Sequence, residues 1–339
     1  MTSVNGRTEN SGPLIALTGA TGFLGSHIAD TLLARNYRVR ASVRMTSNLR
    51  WLDAKPVETV VVDLTDPTDC ARFLAGTNGL IHCAGVVSAP APEIYHTANV
   101  TSTGTLLAAA AKSWAGREDA AVFILISSLA AHGPAGMDQP ALETDDCNPI
   151  THYGRSKLAA EELLATGEWA FRTAVLRPPS LYGPRDSEFL PLFRMAVRGW
   201  TGRLGSRMTG LSLVDGRDAA VAAVALLETK SATGPYFVDD GQTGYDWPAM
   251  AEALGRMAGR RIRTLRVPLG LLKSISWLAG PSRAARSAVL NRDRIRDLDT
   301  VGWVCDGRRL TAATGFRARR DAARGFTETL DFFREEGWL

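Results

Sequence analysis

Tyr153-Gly154-Arg155-Ser156-Lys157 sets a phenol and an ammonium four residues apart at the start of a predicted helix, so both lie on one face. A free phenol, with a pKa of about 10, is a poor proton donor or acceptor near neutrality. A lysine cation beside it favours the phenolate and moves Tyr153 toward a range where it can give a proton to a carbonyl oxygen or take one from an alcohol. Only five lysines occur, against 34 arginines, so a lysine in this position stands out. Ser128 lies 25 residues upstream, two positions past the end of the apolar run AVFILI, where its hydroxyl can hydrogen-bond the same oxygen. Interconversion of a carbonyl and an alcohol is the chemistry these three groups suit.

Such chemistry needs a hydride carrier, and the N-terminal region offers a place for one. Thr18-Gly19-Ala20-Thr21-Gly22-Phe23-Leu24-Gly25 spaces glycines by three, after a short apolar run and at the mouth of a predicted helix. One glycine permits the tight turn, the next lets the backbone approach a pyrophosphate, and the third lets helix pack closely on strand. An NAD-preferring site usually carries an acid at the end of the second strand, for the ribose 2′-hydroxyl. Here no Asp or Glu occurs between Asp30 and Asp53; the strand ends Ala41-Ser42-Val43-Arg44, followed by Thr46, Ser47 and Asn48. A guanidinium with neighbouring hydroxyls suits a 2′-phosphate. NADP(H) is therefore expected in preference to NAD(H).

The elements that must position these groups alternate along the chain. Strands are expected at Leu14–Leu17, Tyr37–Val43, Glu58–Val62, Gly79–His82, Ala121–Ile126 and Thr173–Leu176. Helices are expected at Phe23–Arg35, Asp69–Leu74, Ala98–Lys112 and Tyr153–Leu164. Strands alternating with helices through short connections imply a parallel sheet covered on both faces, an α/β doubly wound Rossmann fold. After the breaker-rich RPPSLYGP the pattern loosens into helices at Leu190–Arg198, Asp218–Leu227 and Trp247–Met257, a strand near Pro235–Val238 and a basic helical tail. The expected division is a disordered lead over residues 1–12, a dinucleotide-binding domain with the catalytic residues over 13–185, and a smaller, mostly helical substrate lobe over 186–339, with some segments returning to the sheet.

Composition excludes other classes. The chain has 339 residues, 45% hydrophobic and 22% charged, with net charge +4, so a sizeable core is expected and wholesale disorder is not. Charge is uneven: residues 255–339 hold 18 basic and 9 acidic side chains, net +9, leaving net −5 for the rest. No arginine run resembles a nucleic-acid tail, and no apolar stretch reaches the roughly 18 residues of a membrane span. The start lacks the apolar region of a signal peptide, and the four cysteines have no zinc-ligand spacing. A reduced cytoplasmic protein with no metal is expected.

The motifs together resemble the short-chain dehydrogenase/reductase superfamily, in its extended, epimerase-like branch. TGATGFLG is similar to that branch's cofactor turn, YGRSK to its active-site YxxxK, and LISSLAAHGP to the segment carrying its catalytic serine, here Ser128. The resemblance implies cofactor contacts from Thr18, Gly19, Thr21, Gly22, Phe23, Leu24, Gly25, Arg44 and Ser47. It implies adenine contacts from Asp63 and Leu64, and a turn past the cofactor at Cys83, Ala84 and Gly85. It also implies a supporting Asn99 that can relay a proton through water. Pro178, Pro179 and Ser180 fall where the branch passes the nicotinamide ring, and Tyr153 and Lys157 also face the cofactor. A homodimer is the branch's usual assembly.

Two reaction classes follow from the resemblance: nucleotide-sugar epimerisation or dehydration with NAD retained, and net reduction or oxidation with cofactor exchange. Arg44 favours the second. So does the segment Arg203–Ser212, including Arg207, which departs from the GDGxQxRD-like pattern of sugar-nucleotide members. The apolar segments Phe189–Phe193 and Val267–Leu278 suit a hydrophobic cleft, and Leu129 and Ala130 follow Ser128 where a dehydratase carries an acid. The expected activity is an NADP(H)-dependent ketoreductase or hydroxysteroid-dehydrogenase-like reaction on a hydrophobic substrate, free or linked to CoA or a carrier. Retention of Tyr153 and Lys157 argues against an NADP-sensing protein without catalysis.

Overall fold

The computed structural model describes residues 11–117, 121–204, 208–267 and 299–339. Its first half runs β1 (Leu14–Thr18), α1 (Phe23–Ala34), β2 (Arg38–Val43), β3 (Val57–Val61), α2 (Pro67–Leu74), β4 (Gly79–His82), α3 (Pro92–Tyr95), a π-helical turn His96–Thr101, α4 (Ser102–Ser113), β5 (Val122–Ile126), α5 (Leu129–His132), α6 (His152–Thr166) and β6 (Arg172–Arg177). The second half runs β7 (Ser180–Tyr182), α7 (Leu190–Val197), β8 (Trp200–Leu204), β9 (Gly210–Leu211), β10 (Leu213–Asp215), α8 (Gly216–Glu228), β11 (Gly234–Phe237), α9 (Trp247–Ala258), β12 (Arg263–Val267) and β13 (Gly302–Trp303). Two helices close it, α10 (Arg308–Thr314) and α11 (Ala322–Glu335).

Seven strands form one parallel sheet in the order β11-β6-β5-β4-β1-β2-β3. Side-chain alternation along each strand feeds two cores. Ile15 and Leu17 of β1 and Ile124 and Ile126 of β5 join Ile28, Leu32 and Val224 under α1 and α8. Ala16, Phe123 and Leu125 point to the opposite face, with Phe73, Leu106 and Trp114 under α2 and α4. The strand order turns back at β1, between β2 and β4, and ligands of open α/β sheets bind at the strand ends beside such a switch. The glycine turn, Cys83–Gly85, Ser127–Ser128 and Pro178–Pro179 all lie at those ends.

Differences from the expected elements have local causes. The helix expected at Ala98–Lys112 begins earlier, as α3, and passes through the π turn before α4. RPPSLYGP contains a strand, β7, because Pro178 and Pro179 end just before it and Ser180–Tyr182 pair in parallel with β10. The basic tail is helical in α10 and α11, yet β12 and β13 also fall in or near it, pairing with β8 and β9. β11 and α8 belong to the sheet layers although they follow residue 186. A third core, with Tyr182, Phe193, Leu254, Phe326 and Phe333 wholly buried, holds the lobe together. Phe193 thus fills the lobe interior instead of lining a cleft, and Phe189 and Leu190 pack against the same core. The lead over residues 1–10, Arg207 and the apolar run from Pro268 to Leu278 lie outside the described residues.

Candidate active site

The glycine turn is built by close approach. Gly19 has φ +72°, and a Cβ there would lie 2.7 Å from the Ala84 nitrogen. A Cβ on Gly25 would lie 2.1 Å from the Gly19 carbonyl oxygen, so only glycine lets α1 sit this near the turn. Gly22 donates to Gly19 O at 3.0 Å and caps α1 with no side-chain bond, and the helix has no acid in its first turn. The uncapped N–H groups and positive end of α1 therefore fit a pyrophosphate. Phe23 and Leu24 begin the helix, Phe23 packing over Gly216 at the start of α8. Thr21 is half-buried in the turn.

Thr18 differs from its neighbours. Its buried hydroxyl accepts from Cys83 N at 3.1 Å and Ala84 N at 3.0 Å, so its proton faces His82 Nδ1 at 2.7 Å. That bond makes Nδ1 the acceptor and Nε2 the protonated nitrogen of the ring. Burial lowers the His82 pKa to about 3, and the charge of Lys157 works the same way, so the imidazole is neutral. Thr18 fixes the Cys83–Gly85 turn and has no hydroxyl left to offer a ligand.

Arg44 projects from the end of β2, exposed, and makes no ion pair among the described residues. The Ser47 hydroxyl accepts from Arg44 N at 2.9 Å, which folds residues 44–47 into a turn and leaves the Ser47 proton to donate. The exposed Asp63 carboxylate accepts from Thr65 N at 2.9 Å and Thr65 Oγ1 at 2.7 Å, bonds that hold its pKa below the usual range. Leu64, next to it, packs on the α2–α4 core.

Around the reacting groups, Thr151 caps α6 by accepting from Gly154 N at 3.0 Å. A Cβ on Gly154 would lie 2.2 Å from Ala130 O, so α6 presses on α5 at the residue beside Tyr153. Tyr153 is half-buried, with its ring 6.5 Å from that of Tyr95. Lys157 is buried and donates to Ile126 O at 2.8 Å, two residues before Ser128. Burial lowers its pKa to about 8, partly opposed by Cys83 and Glu161. Ser128 caps α5; its Oγ accepts from Ala130 N at 3.1 Å and keeps its own proton free to donate. Leu129 N donates to Pro178 O at 2.8 Å, tying the serine segment to Pro178, Pro179 and Ser180.

Asn99 sits in the π turn, a feature frequent at functional sites. Its Oδ1 accepts from Val86 N at 2.8 Å, while Nδ2 donates to Val86 O at 3.1 Å and Ser156 Oγ at 2.9 Å. Both amide protons are thus committed, and a water could take only the second lone pair of Oδ1. A Cβ on Gly85 would lie 2.9 Å from that Oδ1 and 3.3 Å from Lys157 Nζ, which places Gly85, Asn99 and Lys157 together.

A buried network beneath these groups escaped the sequence reading. Glu161, one turn beyond Lys157, accepts from Ser127 Oγ and is paired with Arg177 by Nε at 3.1 Å to both oxygens and Nη2 at 2.6 Å to Oε2. Arg177 Nη2 also approaches Cys147 Sγ at 3.2 Å. Ser127 adjoins Ser128, Arg177 adjoins Pro178, and Glu161 shares a helix with Tyr153 and Lys157. One ion pair therefore clamps the three segments that carry the site. The i,i+4 spacing of Lys157 and Glu161 was the one available signal.

Comparison with known proteins gives concordant findings. The model of the NAD dependent epimerase/dehydratase family matches residues 15–238. The chain is 30% identical over 329 residues to "Ceramide reductase" of Caulobacter vibrioides (strain NA1000 / CB15N), covering 96% of each chain. It is 32% identical over 190 residues to "4-hydroxy-2-methyl-3-oxo-4-farnesyl-3,4-dihydroquinoline-1-oxide ketoreductase" of Stigmatella aurantiaca, covering 54% of each. Among solved structures, that of gox2253 superposes with TM-score 0.78 and 26% identity over 97% of this chain and 100% of the other.

Proposed function

The chain belongs to the NAD dependent epimerase/dehydratase family and is an NAD(P)-dependent enzyme of the extended short-chain dehydrogenase/reductase type; from that premise we propose that it reduces a ketone to a secondary alcohol with NADPH, or catalyses the reverse. The observation that carries the cofactor choice is Arg44, an exposed guanidinium without an ion-pair partner among the described residues, where an NAD-preferring strand would present an acid. Gly19, Gly22 and Gly25 would receive the pyrophosphate at the end of α1, with Arg44 and Ser47 on the 2′-phosphate.

Bound there, a reduced nicotinamide supplies hydride to a carbonyl carbon. The free Ser128 proton orients and polarises the carbonyl oxygen, and Tyr153 protonates it as charge develops. Lys157, held on Ile126 O, would assist the Tyr153 phenol with its positive charge and hold the cofactor's ribose. Asn99 positions Val86 and the Tyr153 turn through Ser156. Likeness to the ceramide reductase along nearly the whole chain supports a lipid-like carbonyl substrate, free or thioester-linked. We further propose a homodimer, as the family resemblance implies, and a cytoplasmic setting, in keeping with the cysteine pattern; sedimentation and cell fractionation test them.

The test is to supply NADPH or NADH with hydrophobic ketones, long-chain keto-lipids, and UDP- and dTDP-sugars, following absorbance and product. NADPH consumption with a hydrophobic ketone is expected. Inversion of a sugar without net cofactor consumption would overturn the reading in favour of an epimerase.

A further inference from the structure

One surface of the lobe combines exposed apolar side chains with unmatched positive charge. β8 and β12 pair as a two-stranded parallel ribbon, Trp200 beside Arg263 and Gly202 beside Leu265. Strand alternation puts these four residues on one face. Met195 of α7 reaches the same face, its Cε 3.8 Å from where a Gly202 Cβ would stand. Trp200, Met195 and Leu265 are 37%, 38% and 49% exposed, and the Arg263 guanidinium lies 5.5 Å from the Trp200 ring centroid. Residues 190–204 and 259–267, which carry α7, β8 and β12, contain seven arginines and no Asp or Glu; Arg263 shares the Trp200 face, while Arg203 of β8 alternates to the opposite one. None of the arginines at 198, 260, 261 and 263 has a carboxylate partner among the described residues. Elsewhere, arginines at 217, 308, 320 and 324 are paired.

From this juxtaposition we propose that the β8–β12 face docks on an anionic lipid bilayer. An indole and two aliphatic side chains interleaved with arginines suit the headgroup layer, where apolar groups enter the acyl boundary and guanidinium groups stay with phosphates. A second copy does not suit it, because a two-fold contact would oppose two acid-free arginine clusters. The docking itself does not depend on the reductase reading. Only its use, to bring the site to a membrane-resident substrate, rests on that reading.

The test is co-sedimentation of the full chain with phosphatidylcholine vesicles, with and without phosphatidylglycerol, at rising salt. Binding is expected only to the anionic vesicles and weakens with salt. Each cation near an anionic membrane contributes about fivefold to partitioning, so Arg260→Glu with Arg263→Glu should lower it at least about 25-fold. Trp200→Phe should keep binding but lose the vesicle-induced blue shift of emission that Trp200 gives. NADPH-dependent reduction of a soluble ketone without vesicles should be unchanged in both variants, which separates failure of docking from failure of the reductase reading. Equal sedimentation of the wild type and the charge-reversed variant would overturn the proposal. So would binding to a small acidic carrier protein with none to vesicles.

Discussion

At the scale of single residues, Tyr153 and Arg44 carry separable roles. Tyr153→Phe removes the proton donor and little volume, so turnover should fall by about 10²- to 10⁴-fold. Cofactor affinity, read by fluorescence titration, should stay nearly constant; a matching loss of affinity would mean that the ring mainly holds the cofactor. Arg44→Glu replaces a phosphate partner by a repelling charge, and a charge-assisted bond of about 1.5–3 kcal/mol corresponds to at least about tenfold weaker NADPH binding. NADH binding should change much less, and equal losses for both would refute the assignment of Arg44 to the 2′-phosphate. Lys157 sets the pH dependence. Its pKa is lowered to about 8 by burial, so the ammonium is present below that pH and lost above it. The kcat/KM for reduction, which reports the free enzyme, should fall as pH rises through about 8. A profile flat to pH 10 would contradict a charged Lys157 in the active form.

At the scale of elements, the buried Glu161–Arg177 pair joins α6 to the ends of β5 and β6. Removing one member of such a pair leaves the other charge buried alone, at a cost of about 3–5 kcal/mol. Glu161→Gln should therefore lose about that much stability in urea denaturation, and Glu161→Leu combined with Arg177→Met should recover part of it. Additive losses in the double variant would mean the two residues act independently. This pair also marks where sequence reading stops. β1 to β6 and the helices α1, α2, α4 and α6 were legible because apolar runs such as VFILI alternate with helical segments through short connections, whereas the single-turn helices α3 and α5 were too short to show a period. Tyr153, Lys157 and the glycine turn were legible because their spacing within one element implies a shared face. Glu161 and Arg177 meet only through the packing of two elements, and neither has a spacing that reveals the other. The same holds for β8 with β12 and β9 with β13, short strands paired between segments far apart in the chain. The π turn at Asn99 has no residue-type signature of its own: His96, Thr97, Asn99, Val100 and Thr101 are weak helix formers, but such residues also occur in ordinary helices.

At the scale of the whole molecule, the charge asymmetry resolves into two parts. The tail is tied to the sheet layers by carboxylates: Asp218 of α8 accepts from Arg319 N at 3.0 Å, Arg320 N at 2.9 Å and Arg320 Nη1 at 2.9 Å. Glu328 of α11 meets Arg217, Arg320 and Arg324 at 2.9, 2.8 and 2.7 Å. There Arg320 and Arg324 are matched by carboxylates, whereas on the β8–β12 side the arginines at 260, 261 and 263 have no carboxylate partner among the described residues. Burial pulls the Glu328 pKa up, but bonds from Arg320 and Arg324 and the charge of Arg217 outweigh that and hold it at about 2. Because its folded pKa lies below the unfolded value of about 4.3, Glu328 contributes stability that is fully present above that value and lost as pH falls through about 2. Glu328→Gln removes the titrating charge while keeping the shape. The variant should be less stable at neutral pH and lose less on acidification, so the two stability curves should converge toward pH 2 in denaturant titrations. Parallel curves would mean that the three arginines find other carboxylates and that the tail is held to the sheet by its apolar core alone.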